Sequence, residues 1–151
     1  MNIKSTVFDS GGKLPAKYTC DGGKTNPPLE ISNVPVAAKS LVLIVEDPDA
    51  PRSIYAPDGV WVHWLVWNID PRKNVIKENE EAFGVVGSNS YGHVKYDPPC
   101  PPNGEHHYFF RVFALDTLLD LSAGSTKDKL VTAINGHIVA SSELLGRYSR
   151  Y

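Results

Sequence analysis

Three apolar runs constrain the fold of this chain more than any other feature of its sequence. They are SLVLIVE at residues 40–46, VWVHWLVWNI at residues 60–69 and HHYFFRVFALD at residues 106–116. Short runs rich in β-branched and aromatic residues, bounded by turn-forming residues, are typical of buried strands. The second run is apolar on both faces except for one histidine, so we expect it to be a central strand of a sheet.

The rest of the chain indicates the same fold class. Its 12 glycines and 12 prolines are spread over 151 residues, which favours many short strands and turns. Residues 125–139 form the one clear predicted helix, and residues 140–149 are expected to return as a strand. We therefore predict a mainly β protein, a single domain over residues 1–151, built as a sandwich or a curled antiparallel sheet.

Composition excludes some functions and indicates a location. The net charge is -2 and no basic cluster occurs, so nucleic-acid binding has no electrostatic support. The apolar runs are too short to cross a bilayer, and the first residues lack the apolar core of a signal peptide. We expect a cytoplasmic protein without integral membrane association. In that compartment the two cysteines, Cys20 and Cys100, are expected to be free thiols unless the fold brings them close.

Polar side chains occur at the ends of these strands and within one of them. Asp47 and Asp49 follow the first strand, His63 lies inside the second, and His106 and Tyr108 share one face of the third. If the strands are neighbours, these groups converge. Imidazole N–H groups and a tyrosine hydroxyl then form a small anion-binding cup, and a carboxylate behind them orients a histidine.

Structural roles also explain each of these residues. DPDAP at residues 47–51 is a good turn sequence on composition alone, and a single histidine in an apolar strand is commonly a core residue. Tyr108 has the pattern of a packed strand residue. PPCPP at residues 98–102 is stiff, so it fits either a rigid turn or the preformed rim of a pocket.

Two catalytic alternatives remain open from the residues alone. Cys100 could act as a nucleophile with His106 as its base, but the flanking prolines remove the N–H groups of an oxyanion hole. Asp47, Asp49, His63 and His106 are ligand types that zinc accepts, but no compact metal-binding spacing supports such a site. We therefore predict no catalytic residue and no metal ligand.

The motifs DPDAP, VHWLVWNI and CPPNGEHHYFFRVFALD, in this order, resemble the phosphatidylethanolamine-binding protein family. YTCDG, NSYG and INGHIVASSELLGRYSR resemble its bacterial and archaeal branch, often called Raf-kinase-inhibitor-like. The resemblance covers nearly the whole chain. It implies a large central antiparallel sheet packed on a smaller sheet, with a few short peripheral helices.

The resemblance also implies a small preformed surface pocket that binds phosphate, phospho-head groups and similar anions without a cofactor. The bond between Ala50 and Pro51 is similar to one that can be cis in the family. Asp97 and its neighbouring prolines stand where glycines are common, so we expect added negative charge and fewer N–H donors in the loop. By motif position, the ligand-binding residues are Asp47, Asp49, His63, Cys100, Pro101, Pro102, His106 and Tyr108.

Our main hypothesis from the sequence is a non-enzymatic, regulatory protein that binds a small anion. Anion affinity is expected to weaken as the pH rises through the histidine pKa of about 6 to 7. One alternative is an inhibitor that docks a protease or a kinase, and another is a hydrolase that uses the His/Asp cluster. The resemblance also allows a homodimer.

Overall fold

A computed structural model describes residues 1–81 and 83–150 of the chain. Its elements are nine strands, one short 3-10 helix at Ala16–Tyr18 and one α-helix. The strands are β1 (Asn2–Lys4), β2 (Gly12–Lys13), β3 (Leu29–Ser32), β4 (Ser40–Asp47), β5 (Trp61–Ile69), β6 (Val75–Ile76), β7 (Val85–Val86), β8 (Glu105–Leu115) and β9 (Ile138–Ser149), and the helix is α1 (Lys127–Ile134).

The strands form two sheets, as the fold prediction required. The large sheet has six strands in the order β2-β9-β8-β4-β5-β7, and the small sheet has three in the order β1-β3-β6. Within the large sheet, β2 and β9 pair in parallel, so this sheet is mixed rather than wholly antiparallel. The mainly β architecture with a larger and a smaller sheet is confirmed.

The three apolar runs are the centre of the large sheet. β4 is buried along its whole length and lies between β5 and β8, to which it pairs in antiparallel register. Strand β5 is also buried, but its other neighbour is only the two-residue strand β7. Because β5, β4 and β8 are adjacent, polar residues at their ends can meet.

The large sheet is covered on both faces by apolar side chains. One face packs against the small sheet through residues such as Leu43 and Phe110 of the large sheet and Ile31 of the small one. On the other face, Ile44 and Trp67 belong to a second cluster that includes residues of α1. Burial of apolar area on both faces is the main stabilising contribution to this fold.

The predicted helix is shorter than the sequence pattern indicated. It covers Lys127–Ile134 and buries Leu130 and Ile134 on one face. The chain then turns at Gly136, which has a φ of +83° that favours glycine, and β9 begins at Ile138. The last strand therefore starts two residues before the predicted position of 140, because pairing with β8 extends to Leu115.

The expectation of free thiols is wrong. Cys20 and Cys100 form a disulfide across 80 residues of sequence, with their Cα atoms 5.4 Å apart. The backbone also joins the two segments, since the amide of Cys20 donates to the carbonyl oxygen of Pro99 at 3.0 Å. Sequence spacing could not reveal this pairing, because it depends on where two distant loops meet.

Two further expectations concern the Ala50–Pro51 peptide bond and membrane-spanning segments. Every peptide bond within the described residues is trans, including the Ala50–Pro51 bond that the resemblance allowed to be cis. No helix in the described part of the chain is long and apolar enough to cross a membrane.

Candidate functional site

A cavity opens at one end of the three central strands. Its volume is about 330 Å³, and no lysine or arginine is among the described residues that line it. The walls come from the ends of β4, β5 and β8, the turn after β4, and the proline-rich loop before β8. The lining residues are Asp47, Ala50, Pro51, Ser53, Trp61, His63, Tyr91, Pro98, Cys100, Pro101, Pro102, His106 and Tyr108.

His63 reaches the cavity because strand β5 contains a β-bulge. Val45 of β4 pairs with Trp64, but Glu46 pairs with Val62, so His63 is an extra residue without a partner in this register. The bulge also explains why Val62 and Trp64, two residues apart, pack in clusters on opposite faces of the sheet. Bulges next to functional sites commonly redirect a side chain in this way.

The ring of His63 is held by the backbone of the loop that precedes β8. Its Nδ1 lies 2.8 Å from the carbonyl oxygen of Asp97, and the amide of Asp97 donates to the carbonyl oxygen of His63 at 3.1 Å. Burial lowers the pKa of His63 to about 4, an effect that the nearby Asp97 only partly opposes. His63 is therefore a neutral imidazole at pH 7, so it does not provide a change of charge near pH 6 to 7, on which the expected pH dependence of anion affinity relied.

Asp47 orients the second histidine of the cavity. Its Oδ2 accepts a hydrogen bond from Nδ1 of His106 at 2.6 Å, and both side chains are about 5% exposed. Burial raises the pKa of Asp47, although the hydrogen bonds from His106 and from the amide of Asp49 oppose the shift. With Nδ1 bound to the carboxylate, Nε2 is the atom of His106 that remains for a ligand.

Two polar atoms of the cavity residues are buried without a hydrogen-bond partner among the described residues. They are Nε2 of His63 and the hydroxyl oxygen of Tyr108. The two rings meet edge to face, with centroids 5.5 Å apart. A buried polar atom without a partner is costly, so these two atoms are the groups of the cavity lining that would gain most from a polar contact.

Asp49 does not line the cavity, although the family motif placed it with the ligand-binding residues. Its Oδ2 accepts hydrogen bonds from the backbone amide and from Nδ1 of His107. Partial burial raises the pKa of Asp49, but the hydrogen bonds from His107 outweigh burial and hold the pKa below its usual range. Asp49 thus fixes the turn after β4 against β8, outside the cavity.

The proline-rich loop forms one wall of the cavity, as its stiffness suggested. Pro98, Cys100, Pro101 and Pro102 all contribute to this wall, and only Cys100 among them has a backbone N–H. The loop is held by the disulfide of Cys100 and by the two hydrogen bonds of the Asp97 backbone, one to the ring and one to the carbonyl oxygen of His63 in β5. The loop therefore supplies shape and apolar surface, with little capacity to donate hydrogen bonds.

The carboxylate of Asp97 is directed to a different set of partners. Its Oδ2 accepts hydrogen bonds from Nδ2 of Asn89 at 2.8 Å and from Nδ1 of His93 at 2.7 Å. Asp97 is not among the residues that line the cavity. The expected negative charge is present in the loop and acts on His63, but the carboxylate itself organises the loop before it and does not line the cavity.

Sequence reasoning missed the aromatic rim of the cavity. Trp61 and Tyr91 line its mouth with their ring centroids 4.8 Å apart, and Tyr55 packs against both rings. Trp61 is the second residue of the second apolar run, where it looked like any other core residue. Its exposure at the strand end could be anticipated only from the position of DPDAP, which follows the neighbouring strand.

The family model described as phosphatidylethanolamine-binding protein matches residues 4–149, nearly the whole chain. The chain belongs to the phosphatidylethanolamine-binding protein family. The resemblance inferred from the sequence motifs is thereby confirmed.

Relatives of this family member occur in bacteria and archaea. A UPF0098 protein of Chlamydia trachomatis is 46% identical over 150 residues, covering 99% of each chain. A UPF0098 protein of Methanothermobacter thermautotrophicus is 44% identical over 156 residues, again covering 99% of each. Both relatives are matched over their whole length, so the family assignment concerns the complete fold.

Solved structures agree with the family assignment. The phosphatidylethanolamine-binding protein homolog CT736 from Chlamydia trachomatis superposes with a TM-score of 0.95 at 45% identity, over 99% of this chain and 97% of that one. E. coli YbcL, a member of the mammalian family, gives a TM-score of 0.88 at 29% identity, over 99% and 98%. The two-sheet fold is thus a property of the family.

Proposed function

We propose that this protein is a non-enzymatic binding protein whose cavity takes a small oxoanion, such as phosphate or a phosphorylated head group. The observation that carries the proposal is the pair of buried polar atoms without partners, Nε2 of His63 and the hydroxyl of Tyr108. His106 adds a third polar atom that Asp47 holds in position. A tetrahedral phosphate group has several oxygens at fixed angles, and it can carry an O–H donor as well as acceptor oxygens, so it suits a mixed set of polar atoms.

The architecture of the wall supports binding without turnover. Cys100 is in a disulfide with Cys20, so its sulfur is not a thiolate nucleophile while that bond is intact. No group of three or more His, Cys, Asp or Glu side chains in the described part of the chain is arranged to hold a metal ion. The histidines and the tyrosine are suited to bind and orient a ligand, and among the described lining residues neither Ser53 nor Cys100 is hydrogen-bonded to a histidine.

The proposal is tested by following the histidine ring signals in NMR while inorganic phosphate and then phosphoethanolamine are added. Saturable shifts at His63 and His106 are expected, with little change at the other rings. Two adjacent residues of β8 provide a matched pair of variants. His106→Gln should weaken binding, whereas His107→Gln should not, because the ring of His107 is held by Asp49 outside the cavity. Absence of saturable shifts at millimolar ligand would exclude this function.

The exposed rim favours a second candidate, a regulator that docks a protein such as a protease or a kinase. Ile54, Tyr55 and Tyr91 are large apolar or aromatic residues that are more than half exposed near the mouth of the cavity. Exposed clusters of this kind are common in interaction sites. Ile54→Ser with Tyr55→Ser should abolish retention of such a partner in a pull-down while the phosphate-induced shifts persist. Retention by this double variant would contradict docking through the rim.

A further inference from the structure

The hydrogen-bonding state of His63 determines what kind of anion the cavity can accept. A carbonyl oxygen only accepts hydrogen bonds, so the 2.8 Å contact with the carbonyl of Asp97 requires the hydrogen to be on Nδ1. In a neutral imidazole the other nitrogen then has a lone pair and no hydrogen. Nε2 of His63, the buried atom without a partner, is therefore an acceptor.

The groups around His63 keep its ring neutral. Asp47, at the end of β4, directs its carboxylate to Nδ1 of His106 and to a backbone amide. The other groups that face the ring are the two residues of β8, His106 and Tyr108, together with Tyr91 at the mouth and Asp97 in the loop. No carboxylate among them accepts a hydrogen bond from His63, so burial outweighs the partial compensation from Asp97 and lowers the pKa of His63 to about 4.

The carboxylate of Asp97 is the remaining candidate, and it is engaged elsewhere. It accepts from Asn89 and His93, while only its backbone carbonyl contacts His63. Protonation of His63 would thus create a buried charge without a counter-ion, which is strongly disfavoured. No described residue donates to the lone pair of Nε2, so a donor that comes with the ligand can satisfy it.

Tyr108 supplies the complementary half of the site. Burial raises the pKa of its hydroxyl, so the group remains protonated and can donate. The hydroxyl has no partner within the described residues, and its ring packs edge to face on His63. An acceptor and a donor therefore belong to two residues that line the cavity and are in ring contact, and they match a ligand with one O–H group and one bare oxygen.

From this geometry we infer that the cavity takes its anion in a singly protonated form, in which an O–H group of the ligand donates to Nε2 of His63. The inference rests on the proposed function, since it specifies which anions that same site prefers. Monobasic phosphate and singly protonated phosphomonoesters have the required O–H group. Sulfate esters and phosphodiesters do not, because all their oxygens are bare or alkylated. A free phosphomonoester should consequently bind better than the diester of an intact phospholipid.

The test compares two probes of the same charge and nearly the same shape, methyl phosphate and methyl sulfate. At about pH 5.5, below the second phosphomonoester pKa of about 6, both have mainly one negative charge and only methyl phosphate has an O–H group. Affinities are measured by isothermal titration calorimetry on the intact protein. Methyl phosphate is expected to bind about ten- to thirtyfold more tightly, since protonating a ring with a pKa of about 4 at this pH costs a factor of about 30.

Two variants test whether the preference for methyl phosphate over methyl sulfate depends on the ring of His63. His63→Gln replaces the fixed acceptor by an amide that can also donate, so the affinity ratio between the two probes should fall towards one. His106→Gln should leave methyl phosphate clearly favoured over methyl sulfate, because the ring of His63 and its contact with the carbonyl of Asp97 are unchanged. The comparison within the wild-type protein needs no variant, so it holds even if His63→Gln does not fold.

The outcomes separate this inference from the proposed function. Equal binding of the two probes would overturn the inference while the anion site itself stands. Binding of neither probe at millimolar concentration would overturn both. Selectivity that survives in a folded His63→Gln variant would also overturn the inference, because the ratio would then depend on a different residue.

Discussion

His63 is a buried histidine, and we expect it to make the protein less stable as the pH falls. Its pKa is about 4 in the folded protein, against the usual value of 6.5 that applies to the unfolded chain. Between these values the unfolded chain binds more protons than the folded protein. Stability from this residue is therefore fully present above about pH 6.5 and is lost as the pH falls towards 4.

The size of the effect follows from the two pKa values. Proton linkage gives a loss of about 2 kcal/mol in the free energy of unfolding between pH 7 and pH 5, and about 3 kcal/mol once the pH is below 4. Against a typical total of about 5–15 kcal/mol, this is a large share for one side chain.

The assay is urea unfolding of the wild type and of His63→Gln at a series of pH values, with the disulfide intact. The variant has its own constant loss of stability, because the hydrogen bond to Asp97 changes, so only the difference in slope is informative. Carboxylates titrate in both proteins and cancel in that difference. His107→Gln serves as a control for the loss of a half-exposed histidine. Parallel stability curves for wild type and His63→Gln would refute the assignment of a buried neutral imidazole.

Three further predictions concern the walls of the cavity. Asp47→Asn should weaken methyl phosphate binding about tenfold in calorimetry, because His106 loses the carboxylate that fixes its ring; unchanged affinity would contradict this role. Replacing Cys20 and Cys100 by serine should lower the free energy of unfolding by about 4 kcal/mol in urea, since the bridge closes a loop of 80 residues; a loss below about 1 kcal/mol would contradict it. Asp97→Asn should not tighten anion binding in the same calorimetric assay, because the carboxylate lies outside the cavity; a clear gain in affinity would restore the electrostatic interpretation.

The sequence was sufficient to predict the central strands and the family. Runs such as those in β4 and β8 are long, apolar and bounded by turn residues, so their period and length leave little choice of structure. Alternation along β8 correctly placed His106 and Tyr108 on one face, which the fold buries, and His107 on the opposite, less buried face. These are local properties, and local properties can be read from one chain.

Other features depended on contacts between distant segments. Simple alternation along β5 would group His63 with Leu65 and Trp67, which pack on the α1 side of the sheet. The bulge that turns His63 to the cavity is a register shift of β5 against β4, and no residue type in β5 predicts it. The disulfide is a similar case, because it joins two loops whose proximity is set by the fold.

Knowing which residues surround the cavity was not enough to know what they can bind. Two histidines and a tyrosine on one wall suggested a cup of donors for an anion. The carbonyl of Asp97 takes the hydrogen of one ring nitrogen of His63, so the other nitrogen becomes an acceptor. One backbone contact thus changes the expected ligand from any small anion to one that still has a proton. Because residue type gives the set of possible hydrogen bonds and the backbone decides which remain, chemical specificity in such a site must be argued atom by atom.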